Sequence, residues 1–395
     1  LEIYNFRDQA FVERVSHIPQ RDSGDVDEGK YDYRMEREMF EQPKVVQDSL
    51  DQMMDKVWLQ PDLVDLTFNF KEIDNISFVA CGTSYHAGLI AKYWFEELAG
   101  IPVSVEIASE FCNRKFVNRS RELGIFLSQS GETKDTMSAI ENSLGKLFSS
   151  LAIVNVRNSA ISKMTENVIY TRAYPEVAVA STKAFVAQLT VLFCLALRAG
   201  IERGSIDPKS ESYTDLVGLL GEIPYQIQQI LEDQEVLLSI VEGFKNKNTK
   251  SIFYIGRGTS YPIALEGALK MKEISYIHAE GYASGELKHG PLALITQTVP
   301  TIVIAPSDEY FSKTTSNVSE ILSRGGPIVL LTDKPGKAKF VDDPSVSVIE
   351  LPVTHKLLTP FLYSVAMQLL AYNASVVRGI DVDHPRNLAK SVTVE

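Results

Sequence analysis

A chain of 395 residues, 45% of them hydrophobic and 23% charged, has the length for two or three domains and the apolar content to fill their cores, which excludes a disordered polymer. Its formal net charge of −12 argues against nucleic acid or an anionic membrane as the main partner, because both need a basic surface; a small anion stays possible, since oriented amides and hydroxyls hold it whatever the overall charge. Three scattered cysteines (Cys81, Cys112, Cys194) show no zinc spacing and fit a reducing cytoplasm, and the longest apolar run, Leu189 to Leu197, is about half of a membrane span.

In chain order, residues 1–30 are polar, carry an acidic stretch from Asp22 to Glu28, and read as a linker. The first residue is Leu and no signal peptide precedes it, so the chain is expected to be a piece of something longer. Tyr31 to Glu41 is helix-compatible and ends before Pro43. Short apolar strands follow at 76–80, 125–127 and 151–155, with helical stretches between them, one running from Lys134 to Leu147. A long apolar helix at about 181–200 closes this part.

The second half repeats the first. Ile76-Ser-Phe-Val-Ala-Cys-Gly-Thr-Ser-Tyr85 aligns with Ile252-Phe-Tyr-Ile-Gly-Arg-Gly-Thr-Ser-Tyr261, residues 76 and 252 being 176 apart. The same offset sets Ala108–Phe111 against Ser284–Leu287, and near it fall the strands at 301–305 and 327–331 and a closing helix at about 358–378. Strands apolar on both faces, alternating with helices, predict an α/β protein of two tandem doubly wound parallel-sheet units, 31–207 and 208–378, followed by a tail, 379–395. Ligands in such sheets bind at the carboxyl ends of the strands.

Two strand ends in the first unit carry hydroxyls. Ala80-Cys-Gly-Thr-Ser84 offers Thr83 and Ser84 after a glycine; neither it nor Gly256-Arg-Gly258-Thr-Ser-Tyr261 has the three glycines of a dinucleotide turn, which excludes a nicotinamide site and leaves an anion turn or an ordinary N-cap. Ser128-Gln-Ser-Gly-Glu-Thr133 places Ser128, Ser130 and Thr133 with Gln129 at a helix start, a pocket for a phosphomonoester or, alternatively, a poor capping box. Its counterpart, Ala305-Pro-Ser-Asp308, has a carboxylate where the anion would sit, so a single phosphate site in the first unit is expected.

The second unit shows Lys270 and Glu273 three residues apart on a helix narrowed by Ala and Gly, either an acid–base pair or a solvated ion pair; spacing alone favours the latter. His289 lies in a loop bounded by Gly and Pro and is either an acid–base group or structural. The other histidines (His17, His86, His278, His355, His384) form no metal pair, so no metal is expected. Cys81 reads as a small residue at a strand end in preference to a nucleophile. Lys390 sits between Ala389 and Val392 in the tail; it is either an imine-forming lysine or, as composition favours, a solvated one on a docked arm.

Cys-Gly-Thr-Ser, Ser-Gln-Ser-Gly-Glu-Thr, Val179-Ala-Ser-Thr-Lys-Ala-Phe185, Glu280-Gly-Tyr-Ala-Ser-Gly-Glu-Leu-Lys-His-Gly-Pro291 and the terminal Pro385-Arg-Asn-Leu-Ala-Lys-Ser-Val-Thr-Val-Glu395 together resemble the bacterial glucosamine-6-phosphate synthase family, the isomerising glutamine:fructose-6-phosphate amidotransferases. The resemblance spans Tyr31 to Glu395 and implies two sugar isomerase (SIS) subdomains with no metal or nucleotide cofactor. It implies that Thr83, Ser84, Ser128, Gln129, Ser130 and Thr133 hold the phosphate of fructose 6-phosphate, with Val179, Ser181 and Ala389 against the sugar. Glu273 would shuttle a proton between the first two carbons, Lys270 would stabilise the enediol oxygen, Lys390 would form the imine, and His289 would open the ring from the partner subunit of a homodimer. In the family a glutaminase domain precedes this region, so the chain alone is expected to interconvert fructose and glucose 6-phosphates without making glucosamine 6-phosphate from glutamine. Val177-Ala178 stands where the family has Ile-Gly, and His384 where it has another polar residue, which leaves the backbone near Val179 the least fixed. A sugar-phosphate sensor and a non-aminating phosphosugar isomerase are the alternatives.

Overall fold

The computed structural model describes residues 3–5, 10–12, 30–55, 65–117, 119–340 and 343–393. Residues 1–30 form a unit of their own, in which β1 (Ile3–Asn5) pairs antiparallel with β2 (Ala10–Val12). The stretch read as a linker thus contains a paired hairpin; its acidic run and His17 lie outside the described residues.

The second unit opens with α1 (Arg34–Phe40) and α2 (Gln42–Met53). Pro43 does end the first helix, but it also starts the next, because a residue with fixed φ and no N–H is at home in a helix's first turn. Then come β3 (Asn75–Ala80), α3 (Gly82–Ala99), β4 (Val103–Ile107), α4 (Ala108–Asn113), β5 (Glu122–Ser128), α5 (Lys134–Ser143), β6 (Ser149–Val154), α6 (Ala160–Met164), β7 (Asn167–Tyr170) and α7 (Lys183–Arg203). Helices α8 (Glu211–Glu232) and α9 (Glu235–Asn246) lead to the repeat: β8 (Ser251–Gly256), α10 (Ser260–Ser275), β9 (His278–Ala283), β10 (Thr301–Ile304), α11 (Phe311–Leu322), β11 (Ile328–Asp333), α12 (Lys334–Lys337), β12 (Val346–Leu351) and α13 (Thr359–Val376).

Both sheets are five-stranded, wholly parallel and alike in order, β4-β3-β5-β6-β7 and β9-β8-β10-β11-β12. Every residue of β5 is buried, as a strand covered by helices on both faces requires. In each sheet the order reverses beside the first strand of the copy, which puts a crevice at the carboxyl ends of β3 and β5 in one and of β8 and β10 in the other.

Helices α7 and α13 are apolar all round and almost wholly buried, the signature of a core helix. The sequence showed no apolar run of membrane length, yet α7 is long and apolar enough to cross a bilayer; it passes that test because it is packed inside the protein, on α2 and α3. Trp94 of α3 joins the copies. Its ring meets Phe193 of α7 edge-on at 5.0 Å and stacks on Phe361 of α13 at 5.9 Å, and its Nε1 donates to the Leu357 carbonyl at 3.0 Å. The repeat offset sets Ile90 and Trp94 of α3 at the helix positions that Glu266 and Lys270 hold in α10. One copy made that face apolar and the other made it ionic.

Candidate active site

The loop 128–133 is closed by its own hydroxyls. Ser128 Oγ lies 2.9 Å from Thr133 Oγ1 and accepts from Gly131 N at 2.9 Å, and Ser130 Oγ accepts from Glu132 N at 3.1 Å. Gly131 has φ 68°, and a Cβ there would lie 2.1 Å from Ser159 Oγ, so the turn needs glycine on both counts. The Glu132 carboxylate turns away to accept from Ala160 N at 2.8 Å. The Gln129 carbonyl accepts from Asn155 N at 3.2 Å. Among the described residues, the N–H groups of Ser130 and Thr133 have no acceptor, nor have those of Gly82, Thr83 and Ser84 at the start of α3. Two helix starts therefore present open donors and hydroxyls at adjacent strand ends, the arrangement that suits an anion.

The turn after β3 is tied to the second copy. Thr83 Oγ1 donates to Glu266 Oε1 at 3.1 Å, and His86 Nδ1 lies 2.7 Å from Glu266 Oε2. Ser84 Oγ accepts from Gln188 of α7 at 2.9 Å. Lys270 Nζ lies 3.5 Å from Glu266 and 2.6 Å from Glu273. The solvated pair that spacing favoured is not what forms: Lys270 has 1% of its side chain exposed, and Glu273 has 23%. The cause is the carboxylate at Glu266, one turn before Lys270, which supplies a second counter-charge inside the protein. Burial works against the Lys270 ammonium, but the charges of Glu273 and Glu266 hold its pKa above the ordinary lysine value. Burial likewise disfavours the Glu266 carboxylate, and Lys270 and His86 overcome it, leaving that pKa below its ordinary value.

The tail docks over this region. The Asp383 carboxylate caps α1, accepting from Arg34 N at 2.8 Å and Met35 N at 2.9 Å. Arg386 lies over the Tyr276 ring at 4.2 Å, and the Val392 carbonyl accepts from Lys134 N, the first residue of α5, at 3.2 Å. Between these anchors Ala389 is exposed, whereas Lys390 turns inward to Glu176 Oε2 at 2.5 Å. The arm is docked as expected, but its lysine is held by a buried carboxylate and is not merely solvated.

The loop into α7 is fixed by two acids. Glu176 accepts from Ser181 Oγ at 3.1 Å, Thr182 N at 2.9 Å and Ala184 N at 3.0 Å; Glu38 of α1 accepts from Val177 N at 2.6 Å and Ala178 N at 3.2 Å. Val179 is half-buried, and Ala178 is outside the set of residues with positive φ, so glycine is not required there. Burial, then the Glu176 charge, pushes the Glu38 carboxyl up to about 7. Lys183 forms an ion pair with Glu41 beside them.

His289 ends a 3-10 turn (Ser284–His289), is exposed, and its side chain has no hydrogen bond or ion pair among the described residues. Burial, then the Asp135 charge, pushes the Cys81 thiol up, the wrong direction for a nucleophile. In the second copy the counterpart of the hydroxyl loop is engaged internally. Ser307 N and Oγ both donate to Asp333, at 3.0 and 2.5 Å, and the Tyr310 ring lies where a Cβ on Gly258 would come within 2.8 Å. Four groups escaped the sequence reading: Glu38, Glu176, His86 and Glu266. Of these only Glu266 had a local signal, its place one helical turn before Lys270.

The family model for the SIS domain matches residues 69–198 and 247–378. A Bradyrhizobium diazoefficiens protein named glutamine–fructose-6-phosphate aminotransferase (isomerizing) is 47% identical over 371 residues, 94% of this chain and 60% of that protein. A Zymomonas mobilis protein of the same name is 42% identical over 395 residues, 100% of this chain and 64% of that protein. The chain thus spans roughly three-fifths of the length of the curated relatives it matches. Among solved structures, the C-terminal domain of glucosamine-fructose-6-phosphate aminotransferase from Francisella tularensis is 38% identical with a TM-score of 0.86, covering 91% of this chain and 100% of that one.

Proposed function

The chain belongs to the SIS-domain family and, within it, to the family of the glucosamine-fructose-6-phosphate aminotransferase C-terminal domain, and on that premise we propose that it binds fructose 6-phosphate and isomerises the ketose to the aldose. The observation that carries the reading is the position of the tail: the Val392 carbonyl is bonded to the start of α5, at the hydroxyl loop, while Lys390, two residues earlier, is drawn inward to Glu176. One short segment thus ties an amine to an anion pocket, and Glu176 in turn acts on the charge of Lys270.

In this reading the phosphate sits on the open N–H groups and hydroxyls of Thr83, Ser84, Ser128, Gln129, Ser130 and Thr133, and the sugar lies along Val179, Ser181 and Ala389. Lys390 forms the imine with the open-chain ketone and releases water. Glu273, still partly reachable from solvent, carries the proton between the first and second carbons, and the Lys270 cation beside it opposes the charge that develops on the enediol oxygen. His289, exposed and with no side-chain partner among the described residues, opens the ring in a second copy, which makes the working unit a homodimer. No metal or nucleotide takes part. In a longer cytoplasmic protein that also carries a glutaminase domain, ammonia from glutamine would complete glucosamine 6-phosphate.

The test is to incubate the purified chain with fructose 6-phosphate, with and without a chelator, and to follow glucose 6-phosphate. Turnover insensitive to the chelator is expected, and Glu273→Gln should abolish it while sugar-phosphate binding persists. Binding without turnover in the parent chain would make it a sensor and overturn the enzymatic reading. A fully active monomer would remove His289 from the partner's site.

A further inference from the structure

Glu176 takes part in no chemical step of that scheme, yet no part of its side chain is exposed and four groups converge on it. Its oxygens are divided between two tasks. Oε1 accepts from Thr182 N and Ala184 N at the start of α7, and Oε2 accepts from Ser181 Oγ and from Lys390 Nζ at 2.5 Å. A carboxylate fixed by two backbone amides and a hydroxyl cannot swing, so the place of Lys390 Nζ is set by α7, a core helix, while its neighbours Leu388 and Ala389 stay exposed.

The same contact bears on reactivity. An ammonium group has no lone pair and cannot add to a ketone, so Lys390 must lose a proton before it forms an imine. The group bonded to its Nζ is Glu176 Oε2. We infer that Glu176 positions Lys390 and takes the proton of its ammonium group, an inference that rests on the imine reading above. The step is balanced: an Nζ–H bond breaks, an O–H bond forms on Oε2, the freed lone pair adds to the carbonyl carbon, and the adduct then loses water to give the imine.

The surroundings favour that transfer once it begins. Burial disfavours the Glu176 carboxylate, and while Lys390 is charged its attraction and hydrogen bond, with those of the two amides, hold the carboxyl below its ordinary value. When the amine becomes neutral that attraction goes, and burial and the Glu38 charge from α1 favour the proton on Glu176 against the Thr182 and Ala184 amides, which remain. Two cations pull the other way, Lys270 from α10, on which Glu176 acts directly, and Lys183 at the start of α7, whose charge reaches Glu38.

Borohydride reduction in the presence of fructose 6-phosphate, followed by peptide mass spectrometry, reads the imine at Lys390 as a function of pH. The parent should give the adduct readily at neutral pH. In Glu176→Gln, whose amide oxygen can still cap α7, Lys390 must deprotonate to solvent. Trapping at neutral pH should then fall about a hundredfold, the low end of what a positioned base contributes, and recover as the pH is raised. Glu176→Asp, which keeps a carboxylate but draws it back, should show a smaller deficit with the same recovery, and it carries the test if the Gln variant fails to fold. Trapping in the variants equal to the parent at neutral pH, or a deficit that does not narrow as pH rises, would overturn the inference. A parent that gives no Lys390 adduct would instead remove the imine reading itself.

Discussion

Replacing Lys270 by methionine takes the cation from between two carboxylates. Glu273 can turn its partly exposed side chain to water, so the stranded group is Glu266, with 1% of its side chain exposed. Breaking a buried ion pair by removing one partner costs roughly 3–5 kcal/mol, and because Glu266 keeps His86 at 2.7 Å and Thr83 at 3.1 Å the low end applies, about 3 kcal/mol or roughly a hundredfold in the folding constant. Urea unfolding followed by circular dichroism at pH 7 and pH 5 measures it. In the parent the Glu266 carboxyl lies below its ordinary value, so the stability it brings is present above the unfolded value of about 4.3 and is lost as pH falls through the folded one. In the variant burial is less opposed and raises that carboxyl, so the deficit should shrink from pH 7 to pH 5. Pairing Lys270→Met with Glu266→Ile, which copies Ile90 of the other repeat, should recover most of the loss while turnover stays absent. A Lys270→Met chain within about 1 kcal/mol of the parent at pH 7, or one whose deficit is the same at both pH values, would refute the reasoning.

Trp94→Ala removes two ring contacts and the bond to the Leu357 carbonyl, and should lower unfolding free energy by about 3–5 kcal/mol in the same urea assay. Gly131→Ala demands a left-handed alanine and a Cβ 2.1 Å from Ser159 Oγ; calorimetry should show fructose 6-phosphate binding weakened at least about tenfold, the equivalent of ~1.4 kcal/mol of strain at the loop. Glu38, pushed up to about 7 in the folded state, should make stability fall between roughly pH 4.3, where its unfolded counterpart ionises, and pH 7, since the folded state then holds the extra proton; Glu38→Gln should flatten that part of the stability–pH curve.

The strands named from sequence, β3, β5 and β6 and their copies β8, β10 and β11, are those apolar on both faces. Within the two parallel sheets the strands not named are β4, β7, β9 and β12; all four are sheet edges, and their burial is broken: β4 has one buried residue in five, and no two neighbouring residues of β12 are both buried. An edge strand with one face partly in water has no continuous apolar run to find. The hydroxyl loop was legible because its groups are consecutive. Glu176 was not, because its meaning lies in a lysine 214 residues away, and Glu266 acquires its role from Thr83, 183 residues before it. Local spacing described the Lys270–Glu273 pair correctly and its burial wrongly, since burial is set by which helix packs against it.

The contrast between α3 and α10, Ile90 and Trp94 in one and Glu266 and Lys270 in the other, bears on the history of the chain. In an assembly of two identical subunits every substitution is inherited twice, so a lysine introduced on one helix appears on its mate as well. Joining the two copies in one polypeptide breaks that rule. One helix could keep a tryptophan as the weld between halves while the equivalent position on the other became a buried cation, a division of labour open to a tandem gene product and closed to a symmetric pair.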